Sequence, residues 1–489
     1  MTLRTLNHYI NGQGRKPPSG DYVEVRNPLD DSPYGQVARG VAADVDAAVA
    51  AAQAAFRNYR VSPPGAREEM LLAAADVLKR DADRFVDILV DEVGSPINKA
   101  RFEVKYGIEC LRAAAGIPRR TSGQTIPTDM PGRVSMSFRA PLGVVGAILP
   151  FNVPLIKGVK LTCSPLSFGN TVVCLPTHEA PSIAFALADV YAEAGFPAGS
   201  FNVVGGIGEE IGDCLTGHEQ VRAVLFTGSL RVGRHISGIC GKHMKPCILE
   251  LGGKSPLVVL DDADVDAAVK AAAMGCFFFQ GQGCMVASRI LVQEGVREEF
   301  TEKLKTTAEA FAGMMGDLRD PATMVGPIIH ERQRRKIRHH IGQARELGAT
   351  VIAGGGWHNN HVEPTVLTGV TEQMDVCREE TFGPVTSIYP IADLDQAIDL
   401  ANDTNYGLAA AIFTRDVNQA MRFVSEVESG MVHVNAPTFA DEPHVPFGGV
   451  KDSGFGREGT EIDADVLTEW KWATIQLPVT DAQFGPSAK

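Results

Sequence analysis

Three short, mainly apolar runs constrain the fold of this chain more than anything else in it: Gly143-Val144-Val145-Gly146-Ala147-Ile148-Leu149, Thr171-Val172-Val173-Cys174-Leu175 and Phe201-Asn202-Val203-Val204. Runs of roughly four to eight residues with no polar alternation are what a strand buried on both faces requires. Helix-forming stretches separate them, so the strands are expected to lie parallel in one sheet, which predicts an α/β fold. The strongest helical signal is DAAVAAAQAAF, from Asp46 to Phe56, with Asp44 and Asp46 where acidic side chains favour a helix start. Arg67 to Val93 reads as two further amphipathic helices that stop at Gly94-Ser95-Pro96. A second alternation begins after Glu250 with Pro256-Leu257-Val258-Val259-Leu260 and runs past Thr414, predicting a second domain on the same plan. At 489 residues the chain is too long for one core and should divide into two or three domains.

A formal charge of −13 argues against a nucleic-acid surface, which calls for clustered Lys and Arg. The short basic run Arg332-Gln333-Arg334-Arg335-Lys336 is expected to be a solvated helix face. No apolar stretch approaches the length of a membrane span, and Met1 to Asn7 lacks a signal-peptide core, so the expectation is a cytoplasmic protein. Nine cysteines without paired spacing fit neither a disulfide framework nor a zinc site, and no metal is expected.

One cysteine stands apart. Cys284 lies in Gln280-Gly281-Gln282-Gly283-Cys284-Met285, where the glycines are expected to leave the backbone uncrowded beside the sulfur. Glu250 lies in a second glycine-rich run, Leu249-Glu250-Leu251-Gly252-Gly253-Lys254. A thiol and a carboxylate brought together supply a soft nucleophile and a general base, the two parts that acyl transfer needs. For phosphate binding there are two candidates. Gly205-Gly206-Ile207-Gly208-Glu209-Glu210-Ile211-Gly212 is one residue too long for the dinucleotide fingerprint G-x-G-x-x-G. The run Leu225-Phe226-Thr227-Gly228-Ser229-Leu230-Arg231-Val232-Gly233 sets Gly228, Ser229 and Gly233 where a strand becomes a helix N-terminus, whose NH groups favour a phosphate.

Together with Leu149-Pro150-Phe151-Asn152-Val153-Pro154, Glu379-Glu380-Thr381-Phe382-Gly383-Pro384 and Pro446-Phe447-Gly448-Gly449-Val450-Lys451, these runs resemble the aldehyde dehydrogenase superfamily along almost the whole chain. The resemblance implies NAD(P)-dependent oxidation of an aldehyde to the acid through a thiohemiacetal and a thioester on Cys284. Glu250 would activate water, and the Asn152 amide would hold the oxyanion. Gly228, Ser229 and Gly233 would cradle the cofactor pyrophosphate, Glu380 would bind the nicotinamide ribose and Phe382 would pack near the ring. Where the family usually reads K-P-S-E, this chain has Leu175-Pro176-Thr177-His178, which alters the adenosine-ribose site. NAD is the expected cofactor and NADP the alternative, with Glu179 a possible stand-in one place further on.

The pattern is similar to the branch that oxidises aromatic aldehydes such as benzaldehyde, salicylaldehyde and vanillin. That likeness rests on Gly430 to Thr438 with Asp441-Glu442-Pro443, on Gln282-Gly283-Cys284-Met285, and on Lys160 at a basic position of the helix after Asn152. Phe439, Phe447 and some of Phe277 to Phe279 would line a flat apolar pocket, and Gly283 predicts extra room beside the thiol. An aliphatic aldehyde or semialdehyde is the alternative substrate, and a non-catalytic protein keeping the fold is the third reading. The family fold implies a Rossmann-like cofactor domain (1–120 and 140–250), a catalytic domain (251–448) and a small β oligomerisation flap (121–139 and 470–489). Trp472 to Leu477 alternates like an edge strand that another chain would cover, giving a homodimer or homotetramer.

Overall fold

The computed structural model describes residues 4–478. The three apolar runs are strands Val144–Leu149, Thr171–Pro176 and Phe201–Val203, joined by parallel Val221–Thr227 and Cys247–Glu250. A helix follows each of the first four: Pro154–Ser167, Ser182–Glu193, Gly208–Thr216 and Leu230–Lys242. Antiparallel strands close the sheet at eight, with Gly454–Phe455 beside Cys247–Glu250 at one edge and His8–Ile10 and Gln13–Arg15 at the other. Val144–Leu149 has the second strand of the series on one side and the fourth on the other. Such a reversal of strand order opens a crevice at the carboxyl ends, and both Asn152 and the Thr227-Gly228-Ser229 turn leave the sheet there.

A second sheet of seven strands has Pro256–Val259 at its heart, parallel to Arg289–Gln293 and Ala409–Phe413. A small antiparallel sheet pairs Thr468–Gln476 with Arg133–Pro141 over nine residues, and Gln124–Thr125 forms its far edge. The strand therefore begins before Trp472. The expected flap residues 479–489 lie outside the described residues.

Near the N-terminus, the DAAVAAAQAAF run forms the centre of helix Ala42–Tyr59, and Arg67 to Val93 falls in Pro64–Arg80 and Ala82–Val93. Gly94 ends the latter with φ 71°, where a left-handed residue lets Ser95 donate back to the Leu89 carbonyl at 3.1 Å. The basic run departs from expectation at one residue. Arg334 is buried, bonded to Asp31 at 2.8 Å and to the Ile328 carbonyl at 3.2 Å, while Arg332 and Arg335 face solvent. All nine cysteines are free thiols. Among the described residues no helix is long and apolar enough to cross a membrane, and no cluster of His, Cys, Asp and Glu could hold a metal.

Candidate active site

After helix Val265–Phe277 the chain makes a tight turn in which two consecutive non-glycine residues, Phe279 (φ 59°) and Gln280 (φ 47°), are left-handed. Such backbone costs of the order of 1–3 kcal/mol per residue and persists only where the surroundings hold it. Here the Gln280 amide bonds to the Pro327 carbonyl at 3.1 Å, and Gln282 accepts from the Ile329 NH at 3.1 Å. The glycines of this loop serve close packing rather than open space. A Cβ on Gly281 would lie 2.2 Å from the Gly383 carbonyl, and one on Gly283 would lie 2.9 Å from the Phe439 ring. The room expected beside the thiol is therefore filled by Phe439. Cys284 is half-buried and packs with Met285, Met431, Phe439 and Phe447. Burial, with Glu250 and Glu380 adding to it against the pull of Lys157, pushes the thiol up to about 12.

Glu250 ends its strand beneath this loop. The two glycine-rich runs meet: a Cβ on Gly253 would lie 2.4 Å from the Cys284 carbonyl oxygen. The Glu250 side chain is 2% exposed, and neither carboxyl oxygen has a hydrogen-bond partner among the described residues. Burial above all, then Glu458, raises its carboxyl well above the ordinary range, against Lys157, Lys160 and Arg457. Asn152 precedes helix Pro154–Ser167, in which Pro154 supplies the first-turn proline. Its Nδ2 donates to the Gln282 carbonyl at 3.1 Å, two residues from the thiol, while its own carbonyl accepts from the Lys99 ammonium at 2.7 Å.

Helix Pro154–Ser167 is buried at every residue, and its two lysines are paired inside the protein. Lys157 donates to Glu458 at 2.7 Å and Lys160 to Asp441 at 2.9 Å. Burial by itself would lower the Lys160 ammonium, but Asp441 and Glu458 outweigh it and raise it. Both ammonium groups lie over the Phe447 ring, at 4.6 and 4.7 Å. Phe447, expected as a pocket wall, is thus a buried ring beneath two cations. Phe277 is likewise core, fully buried 5.7 Å from Phe311. The aromatic surface nearer the thiol is Phe439, edge-on to Phe279 at 5.2 Å, with Phe278 and Phe102 beyond. Phe102, Lys99 and Lys157 escaped the sequence reading. The signal for Lys157 was present, because a second lysine in an otherwise apolar helix calls for buried partners.

The cofactor candidates lie along the crevice. Gly228 and Ser229 turn strand Val221–Thr227 into helix Leu230–Lys242. A Cβ on Gly228 would strike Phe226 at 2.4 Å, and one on Gly233 would strike Leu251 at 2.4 Å, so both glycines hold the helix close to the sheet. Among the described residues Ser229 makes no side-chain capping bond and the buried Thr227 hydroxyl has no partner, so the turn keeps unused polar groups that suit a phosphate. In the rival run Cβ atoms on Gly205 and Gly206 would strike Val37 at 2.5 Å and Ile211 at 2.7 Å, while Gly208 and Gly212 have nothing within 4 Å. Glu380 accepts from the Gly253 NH at 3.1 Å, and burial raises its carboxyl. Phe382, with φ 54°, meets Phe151 edge-on at 5.8 Å. Leu175 offers the crevice nothing polar, being buried among Val173, Val204 and Phe226. His178 lies 3.8 Å from Glu179, which is also 3.6 Å from His330 and 3.8 Å from Arg332. Burial would raise the Glu179 carboxyl, but His178, the Thr177 hydroxyl and His330 outweigh it and hold it low. The hollow of about 610 Å³ lined by Asp46, Asp213 and His218 contains none of these groups.

The aldehyde dehydrogenase family profile matches residues 15–473. A vanillin dehydrogenase of Pseudomonas fluorescens is 38% identical over 96% of this chain and 97% of its own length. A benzaldehyde dehydrogenase of Bacillus subtilis is 36% identical, covering 96% of each chain. The crystal structure of a salicylaldehyde dehydrogenase from Pseudomonas putida, solved with salicylaldehyde, superposes with a TM-score of 0.93 at 34% identity, over 98% of this chain and 99% of that one. A thiol, a buried carboxylate and an amide gathered at the carboxyl ends of a dinucleotide-type sheet are thus found in a chain that belongs to the aldehyde dehydrogenase family.

Proposed function

We propose that this chain oxidises an aromatic aldehyde to its carboxylic acid, with Cys284 as nucleophile, Asn152 as oxyanion donor and Glu250 as general base. The observation that carries this reading is the meeting of the Glu250 and Cys284 runs at Gly253, with the Asn152 amide bonded to the same loop. The Cys284 thiolate adds to the carbonyl carbon. Asn152 Nδ2 has a second hydrogen, beyond the one given to Gln282, for the oxygen that becomes negative. Loss of hydride from that carbon leaves a thioester on Cys284. When bound, the nicotinamide ring supplies the acceptor for the hydride and a positive charge that favours the thiolate. Glu250, whose buried carboxyl holds a proton more strongly than an exposed one, takes a proton from water as the water oxygen adds to the thioester carbon. Collapse releases the acid and returns the Cys284 thiolate.

Phe439 against the thiol, backed by Phe279, Phe278 and Phe102, supports a flat ring as substrate, as do the aromatic aldehydes named for the relatives. Gly228, Ser229 and the Thr227 hydroxyl would hold the pyrophosphate, and Glu380 and Phe382 the nicotinamide half. The Glu179 carboxylate supports NAD over NADP, because a 2′-phosphate beside it meets like charge. The eight-stranded unit is read as the cofactor domain and the seven-stranded unit as the catalytic one. Trp470, Trp472 and Ile475 are at least half exposed on the small sheet, which supports a homodimer or homotetramer joined through the open edge of Thr468–Gln476.

The test is reduction of NAD and NADP, in parallel, by the purified protein on benzaldehyde. Turnover abolished in Cys284→Ala is the expected result. Inactivity of the wild type with both cofactors overturns the aromatic assignment and brings aliphatic aldehydes forward.

A further inference from the structure

Helix Ile97–Ala115 places a buried ion pair directly behind Asn152. Lys99 is 2% exposed and Glu103 fully buried, and the ammonium is bonded to the carboxylate one turn away. The same ammonium donates to the Asn152 carbonyl at 2.7 Å, while the other Glu103 oxygen accepts from the Leu155 NH at 3.2 Å. One ion pair therefore grips the chain at two points, the carbonyl of Asn152 itself and the first turn of the helix after it. The ammonium also lies 5.1 Å from the centroid of the Phe279 ring, in the left-handed turn that leads to Cys284.

A pair this deep is a poor source of stability. Removing two charges from water carries a desolvation cost that their attraction rarely more than repays. What such a pair supplies well is a fixed geometry, since each group is satisfied in one arrangement only. The Asn152 amide has to meet an oxygen whose position is set by Cys284, and a misplacement of about 1 Å at such a donor can cost on the order of a hundredfold in rate.

We propose that Lys99, held by Glu103, is a positioning residue for the oxyanion-binding amide, acting through the Asn152 main chain and registering it against the Phe279 turn. The proposal rests on the reading of Asn152 as the oxyanion donor. Lys99 touches neither the thiol nor the amide nitrogen, so its effect must pass through Asn152.

A double-mutant cycle on benzaldehyde oxidation tests it. Lys99→Met is expected to lower kcat by on the order of tenfold or more, with KM for aldehyde and cofactor changed by less than about twofold. Asn152→Ala is expected to lower kcat by on the order of a hundredfold. The double variant should be no slower than Asn152→Ala alone, because a positioning residue has nothing left to position, and Lys99→Arg should recover part of the rate. If Asn152→Ala is impaired but Lys99→Met matches the wild type, or if the two losses multiply, or if Lys99→Met changes KM instead of kcat, the positioning role is overturned while the oxyanion reading stands. If Asn152→Ala matches the wild type, the oxyanion reading itself fails and Lys99 with it. Should Lys99→Met not fold, Lys99→Gln enters the same cycle with the same expectations.

Discussion

The proposed reacting corner of the crevice and the proposed ribose corner are built by opposite means. Around Cys284, Glu250 and Asn152 three lysines are buried and bonded at short range: Lys99 to Asn152 at 2.7 Å, Lys157 to Glu458 at 2.7 Å, Lys160 to Asp441 at 2.9 Å. Around Glu179 the charged neighbours stand off at 3.6–3.8 Å, and Arg332 is 73% exposed. Buried, fully paired charges have one arrangement, whereas loosely spaced ones in partial contact with water shift at little cost. The difference teaches that substitutions at the first corner should show in kcat and stability, and at the second in cofactor affinity and choice.

The sharpest form of this contrast is Glu250→Gln. Steady-state turnover should fall by on the order of a thousandfold, while rapid mixing still shows one equivalent of reduced cofactor per active site, because the thioester forms but is not hydrolysed. Loss of that single turnover as well would show that Glu250 also serves the first step. Next in size is the pH response of the thiol. Only the thiolate is alkylated, and Cys284 is pushed up to about 12, so below that value its ionised fraction grows with pH. Iodoacetamide labelling of the cofactor-free protein should therefore rise about tenfold per pH unit from roughly pH 7 to 10, with no levelling near about 8.5, the value of a free thiol. A plateau there would mean that the reacting corner is less closed than its packing implies.

Lys157→Met asks whether the charge lattice is interlocked. It leaves Glu458 buried without its 2.7 Å partner, and the expected loss is about 3 kcal/mol in denaturant unfolding, as for other broken buried pairs. It should also slow Cys284 labelling at fixed pH, since the lost charge favours the thiolate. A loss below about 1 kcal/mol, the scale of an exposed pair, would erase the distinction between the corners. Smallest of all should be Glu179→Gln. A several-fold rise in KM for NAD, a narrower preference over NADP and a kcat within about twofold of wild type are expected from the loss of a carboxylate acting only on cofactor binding. A large fall in kcat would instead tie the ribose corner to the chemistry.

Much of the fold was legible because its signals are local. A run such as Val172-Val173-Cys174-Leu175 is apolar throughout because water reaches neither face of the strand, and that demand is written at each position. The Cys284 and Glu250 runs were legible as chemistry because their residue types are unusual together. The loop glycines were misread in one respect: the space beside Gly283 belongs to Phe439, whose approach depends on chain far away. Lys99 and Glu103 gave no warning, since a Lys and a Glu four apart on a helix usually form an exposed pair. Arg334 looked like its solvated neighbours until Asp31 was found against it.

The sequence by itself determined the alternation of strands and helices, the two glycine-rich runs and the thiol and carboxylate proposed for the chemistry, because each is carried by residues adjacent in the chain. Tertiary structure alone decided that Phe439 fills the space beside Gly283, that Phe447 lies under two ammonium groups and that Lys157 meets a carboxylate 301 residues away. The physical reason is that backbone periodicity reports whether a position is buried, whereas pairing a buried charge depends on which distant segments the packed core brings within hydrogen-bond reach.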